Sequence, residues 1–149
     1  MNVFHTMLHG LYLIASKQVL FDSKQKGRSL TPQYAIPSQF HVFRYAKKRS
    51  PAPTTARFQI QFQLKHLTAK QNERFSLLPM LFVVGFPGFY SKYWLVDETT
   101  NTCMGIYEWQ CTEDAIRYSN SIAVRFMKRR SVTGSVQYAI TPIESSLTP

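Results

Sequence analysis

Four side chains in the second half of the chain have types and spacing suited to chemistry on an apolar molecule: Lys92 and Trp94, then Tyr107 and Glu108. They sit in two aromatic-rich runs, residues 89–96 and 103–110, joined by a polar stretch over residues 97–102. Trp94 and Tyr107 offer large flat walls, each with one polar tip. Lys92 can stabilise an anion, and Glu108 can take a proton from a bound molecule. Side chains alternate across a strand, and this limits the set. Lys92 and Trp94 share one face of their run; Tyr107 and Trp109 share one face of theirs, with Glu108 on the other. All four therefore cannot line a single pocket. A structural reading competes with the chemical one: strand aromatics as core, and Lys92 with Glu108 as a cross-strand ion pair.

Other chemistries lack their residues. His5 and His9 stand four apart, but no acid or cysteine accompanies them, so they are a poor metal pair. His41 and His66 stand alone. Cys103 and Cys111 are the only cysteines, and eight steps of extended chain put them about 26 Å apart, too far to bridge. There is no glycine-rich phosphate loop, no G-x-S-x-G and no flavin or nicotinamide fingerprint. The expectation is a site with no metal and no cofactor, in a reducing, cytoplasmic setting.

The elements that must position the four residues follow from periodicity. Phe58, Ile60, Phe62 and Leu64 alternate with three glutamines, which predicts a half-buried strand. Thr68 and Gln71 fit a capping box, so a helix starts there and meets Pro79 inside it. Residues 77–87 carry no charge, and a helix apolar all round must be covered on both sides. One cover is the sheet; the other is the N-terminal helix, a second subunit or lipid. Thr112, Glu113 and Asp114 open a second helix that ends on Lys128, Arg129 and Arg130, with charges placed as the helix dipole favours. Gly134 precedes a last strand over residues 135–140. The order is β-α-β-β-α-β: an α+β, ferredoxin-like unit with a four-stranded antiparallel sheet and two helices on one face. Aromatics on both faces of the two central strands call for cover on the second face as well, which a symmetric dimer supplies.

The first third is different. Up to Arg57 nine Lys and Arg face one acid, Asp22, and most of the net charge of +10 sits there. Met1 to Phe21 has roughly helical apolar spacing at Phe4, Met7, Leu8, Leu11, Ile14, Ala15 and Val19, which predicts one apolar face packed on the body of the protein, or lying on a membrane surface. No run of about 18 apolar residues is present. Four prolines and the linker-like SPAPTTA at residues 50–56 lead to a division into a basic, proline-containing, partly helical N-terminal extension (1–56), a ferredoxin-like domain (57–142) and a loose tail (143–149).

The punctuation of the second half resembles a known family. Pro87-Gly88-Phe89, Lys92-x-Trp94, an acidic turn, Gly105-Ile106-Tyr107 followed by Trp109, and Ala115-x-x-Tyr118 are similar to the YdhR-like monooxygenases of the dimeric α+β barrel superfamily, which also holds the antibiotic-biosynthesis monooxygenases. The resemblance covers about residues 58–146. It implies a homodimer whose two sheets form a barrel, a pocket for an aromatic or other apolar small molecule, and oxygenation without a cofactor. Met104 stands where that family has a small residue, and Glu108 where it has an apolar one. Two other functions compete. One is a non-catalytic barrel for ligand binding or assembly. The other is an RNA-binding domain of the same strand order, against which stand an acid, Glu108, in the strand that would stack bases and the lack of the K/R-G-F/Y-G/A-F-V-x-F/Y pattern; no nucleic-acid partner is expected.

Overall fold

The structure, a computed structural model, describes residues 1–30 and 39–143. The chain opens with helix α1 (Val3–Ala15), capped by the Asn2 side chain, which accepts from the backbone N–H groups of Phe4 and His5. A short strand β1 (Val19–Phe21) and a single 3-10 turn at Ser23–Gln25 follow, then strand β2 (His41–Lys48). The ferredoxin-like series comes next: β3 (Ala56–Phe62), helices α2 (Ala69–Phe75) and α3 (Leu77–Gly85), β4 (Phe89–Asp97), β5 (Thr102–Trp109), helices α4 (Thr112–Ser119) and α5 (Ile122–Arg130), and β6 (Gln137–Pro142). Apart from Ile143, the expected tail lies outside the described residues.

Each expected helix is two helices. The Thr68/Gln71 capping box forms and starts α2. Ser76 ends α2 and begins α3, which puts Pro79 in the first turn of a new helix, where its missing N–H breaks no bond. The second helix breaks at Asn120, and the Ser121 side chain caps α5 by accepting from the Val124 N–H.

All strand pairs are antiparallel, in the order β1-β2-β4-β5-β3-β6. The four strands β4-β5-β3-β6 are the expected ferredoxin-like sheet. The sheet has six strands rather than four, because β2 pairs with β4 and β1 pairs with β2. An unpaired β4 edge would present a row of free backbone groups, and the N-terminal strands occupy it. At the far end of the hairpin between β4 and β5, Asp97 accepts from the Thr99 and Thr100 N–H groups and from the Thr99 hydroxyl, and also from the Gln39 N–H.

Helices cover one face of the sheet. Phe58, Ile60, Phe89 and Trp109 from the strands meet Phe82 and Val83 of α3 and Ala115 of α4 there. On the other face Val42, Tyr45, Tyr93, Leu95, Met104 and Ile106 form a second cluster, with the Tyr45 and Tyr93 rings 4.3 Å apart. These residues are buried within the single chain.

Helix α1 is the second cover of α3, but it is turned from the face its hydrophobic spacing suggested. Thr6, Gly10 and Leu13 are buried, while Phe4, Leu8 and Leu11 are 71%, 49% and 51% exposed. The reason is backbone proximity. A Cβ on Gly10 would lie 2.0 Å from the Leu81 carbonyl oxygen, and one on Gly85 would lie 2.0 Å from the Thr6 carbonyl oxygen. The small residues let the two helices touch backbone to backbone, and His9 Nδ1 sits 3.1 Å from the Gly85 carbonyl oxygen. Close approach outweighed the area of the larger side chains.

Gly85→Ala forces these backbones apart and is expected to cost about 1–3 kcal/mol in urea denaturation, the range for overpacking a tight contact. Leu8→Ala, on the outward side of α1, is expected to change stability by less than about 0.5 kcal/mol.

Candidate functional site

A cavity of about 190 Å³ lies between the helix-covered face of the sheet and the helices. β4 supplies Lys92 and Trp94, and β5 supplies Gly105 and Tyr107. The register places Lys92 directly opposite Tyr107 and Trp94 directly opposite Gly105, so all of them face the same way. A Cβ on Gly105 would lie 2.6 Å from Tyr107 Cε2, so this glycine makes room for the tyrosine ring to lie back along the strand. Asn72 and Phe75 of α2 and Pro79 of α3 form one side. Tyr118 of α4 and Val124, Phe126 and Arg130 of α5 form the other.

The chemistry centres on Lys92. Its Nζ lies 4.4 Å from the Trp94 ring centroid and 4.2 Å from that of Tyr107, and the residue is only 7% exposed. Among the described residues, the cavity lining holds no carboxylate and no imidazole. Burial holds the Lys92 ammonium well below its ordinary value, and the nearby Arg44 guanidinium lowers it further. The aromatic faces favour the cation, but only in part. The site therefore presents an amine that gives up its proton readily.

Arg44 reaches this region because of an irregularity in β2. The register shifts between Val42 and Arg44, and Phe43 is the extra residue. Phe43 lines the cavity, while the Arg44 guanidinium sits 5.3 Å from the Trp94 ring centroid. Arg44 is held by donating to the Ser76 hydroxyl at 2.7 Å and to the Glu73 carbonyl oxygen at 3.1 Å.

The two tyrosines and the cysteine of the lining stay neutral. Burial first, and then Tyr118, push the Tyr107 phenol well above its ordinary value. Burial raises Tyr118 to about 12. The Tyr107 and Tyr118 rings lie 5.1 Å apart, and both phenols line the cavity as neutral hydroxyls able to donate. Burial raises Cys103 to about 12, and its sulfur accepts from Asn72 Nδ2 at 3.2 Å. It is a thiol at neutral pH and no nucleophile.

Of the four residues singled out by sequence, Lys92, Trp94 and Tyr107 come together here. Glu108 does not. It lies on the opposite face, 1% exposed, with an oxygen 3.8 Å from Arg57 on β3. The cross-strand ion pair is thus Arg57–Glu108, across β3 and β5, rather than Lys92–Glu108. Sequence reasoning missed Asn72, Phe75 and Arg44 in this region. Tyr118 had a signal, three residues beyond the buried Ala115 on one helix face. Arg44 had none, because β2 meets β4 across some fifty residues of chain.

No family model matches the chain, and no curated protein matches it in sequence. Solved structures do match in shape. A ferredoxin-fold protein related to antibiotic-biosynthesis monooxygenases, from Listeria monocytogenes, superposes with a TM-score of 0.58 at 9% identity, over 78% of this chain and 70% of that one. A monooxygenase-like protein from Listeria innocua gives 0.56 at 12%, over 76% and 69%. A heme-degrading enzyme from Listeria monocytogenes gives 0.55 at 11%, over 89% and 91%. At these identities the likeness is one of fold: the chain has a ferredoxin-like fold. Among the described residues, no helix is long and apolar enough to cross a membrane.

The Lys92 environment predicts a pH effect on stability. The folded state releases the Lys92 proton below the 10.5 at which an ordinary lysine releases it. Between the two values the unfolded chain binds one more proton, so stability rises with pH there. The cost of burying Lys92 is full below the folded value and is gone above the unfolded one. Lys92→Met is therefore expected to stabilise the protein at neutral pH. That gain should shrink by about 1.4 kcal/mol per pH unit within the window, as read by denaturation at a series of pH values.

Proposed function

We propose that the protein is a monooxygenase-like small-molecule-binding protein of the YdhR-like kind, acting on an aromatic or other apolar substrate without a cofactor. The observation that carries this is the Lys92 amine, buried in an apolar cavity lined, among the described residues, by no carboxylate. Oxygenation without a cofactor needs a substrate that can become an electron-rich anion. A neutral Lys92 takes the proton of a bound phenol or enol, and the resulting ammonium stays beside the oxyanion as its counter-ion. Trp94 and Tyr107 wall the ring, and the Tyr118 hydroxyl donates to the oxyanion. With 1-naphthol as the example, the ring carbon opposite the oxyanion binds O₂; loss of water then leaves 1,4-naphthoquinone, so one naphthol and one O₂ give one quinone and one water.

Cavity size supports a small ligand. An apolar cavity of roughly 150 Å³ accepts benzene, and this one, at about 190 Å³, suits one or two rings. The haem chemistry of one structural neighbour is not carried over, because a tetrapyrrole is much larger and the lining, among the described residues, has no imidazole for iron. Homodimerisation belongs to this reading; light scattering tests it, and a monomer removes it.

Titration with 1-naphthol at neutral pH is expected to show the red-shifted band of bound naphtholate, with O₂ uptake and quinone formation. Lys92→Met is expected to lose the band and about 10²–10⁴ of the rate, the usual worth of a general base. Ionisation without O₂ uptake would make the protein a non-catalytic binding module. Neither signal would overturn the reading.

A further inference from the structure

We propose a second use for the same amine: Lys92 traps small apolar aldehydes and ketones as an imine, making the cavity a carbonyl site. The inference rests on the same cavity reading but not on oxygen chemistry. A nucleophilic amine needs a free electron pair, and the surroundings of this one disfavour the proton that would occupy it. Lys92 is buried, the lining carries no carboxylate among the described residues to hold its proton, and the Arg44 guanidinium lies against the same Trp94 ring. In the charged N-terminal third, Lys17, Lys24 and Lys26 are exposed, and Lys47 and Lys48 are only partly buried. The cavity thus selects its nucleophile by burial.

The surroundings suit the product as well as the attack. An imine conjugated to an aromatic ring is flat, and the Nζ sits between the rings of Trp94 and Tyr107, 4.4 and 4.2 Å from their centroids. The nitrogen pair forms the bond to the carbonyl carbon, and the oxygen takes a proton to give a carbinolamine. The Tyr118 hydroxyl is the neighbouring donor for the departing oxygen. Water leaves, the last N–H proton returns to the tyrosine, and the C=N bond remains. One aldehyde and one amine give one imine and one water. Cys103 does not compete, since burial keeps it a thiol.

The volume of about 190 Å³ points to a one-ring aldehyde, and benzaldehyde is the probe. The full-length protein is treated with benzaldehyde and cyanoborohydride at neutral pH, and the benzylated lysines are located by peptide mass spectrometry. Lys92 is expected to be labelled at least about ten-fold faster than any of the other eight lysines, the ratio that each unit of lowered pKa gives in free amine. The preference should widen as the pH is lowered towards neutral, and 1-naphthol should protect Lys92 alone. Labelling spread evenly over the lysines, or absent from Lys92 while the others react, overturns the proposal. The wild-type map does not depend on whether Lys92→Met folds. Naphthol ionisation with no trapping at Lys92 sinks this proposal and leaves the site reading standing; trapping with no ionisation does the reverse.

Discussion

Helix α3 has no polar face, and its second half, Phe82 to Gly85, is buried while Leu77 and Leu78 of its first turn stay exposed; the rest of the molecule is arranged around that buried half. The sheet covers one side of that half, and α1 covers the other. The cover is tight because Gly10 and Gly85 remove the side chains that would hold the two backbones apart. Docking α1 brings the following segment alongside the sheet, where β1 and β2 complete the β4 edge. Through β2 that docking also brings Phe43 to the cavity wall and Arg44 to the Trp94 ring beside Lys92. A packing requirement on α3 is thus linked to the electrostatics of a side chain two strands away.

Lys92 is where local stability is given up. An amine buried beside a guanidinium, with two aromatic faces as its partial compensation, is a poor choice for a core position. A methionine would fill the space with no charge to desolvate. Groups placed against their own solvation preference concentrate at functional sites. The two tyrosines and the Cys103 thiol beside Asn72 are, by contrast, held in their neutral forms. Among the described lining residues, the Lys92 amine is the group whose surroundings favour giving up its proton, which gives the cavity a direction for proton transfer.

The second sheet face shows the opposite treatment of charge. Glu108 is as buried as Lys92, but Arg57 on the neighbouring strand partners it. Around that pair Tyr45, Tyr93, Leu95 and Met104 pack within one chain. Period-two alternation separates the two environments: Tyr107 and Glu108 are adjacent in sequence, one in the cavity and one in the ion pair.

Much of this was legible in the residues themselves, for a physical reason. Alternation, capping and turn chemistry act over a few residues, so the ferredoxin-like order, the Thr68/Gln71 cap and the Asp97 turn could be read directly. The same local rule placed Lys92 and Trp94 on one face and set Glu108 apart from Tyr107. Contacts made between distant segments were a different matter. Which strand fills the β4 edge, how far α1 turns about its axis, and that Arg44 comes to stand beside Trp94 depend on backbone approach and edge pairing across long stretches of chain. The local pattern of α1 favoured its larger side chains as the buried face; the tertiary contact chose the small ones. That Lys92 is an amine without a carboxylate in its cavity, and not half of an ion pair, was decided there too, because the partner of a charge is set by what folds beside it.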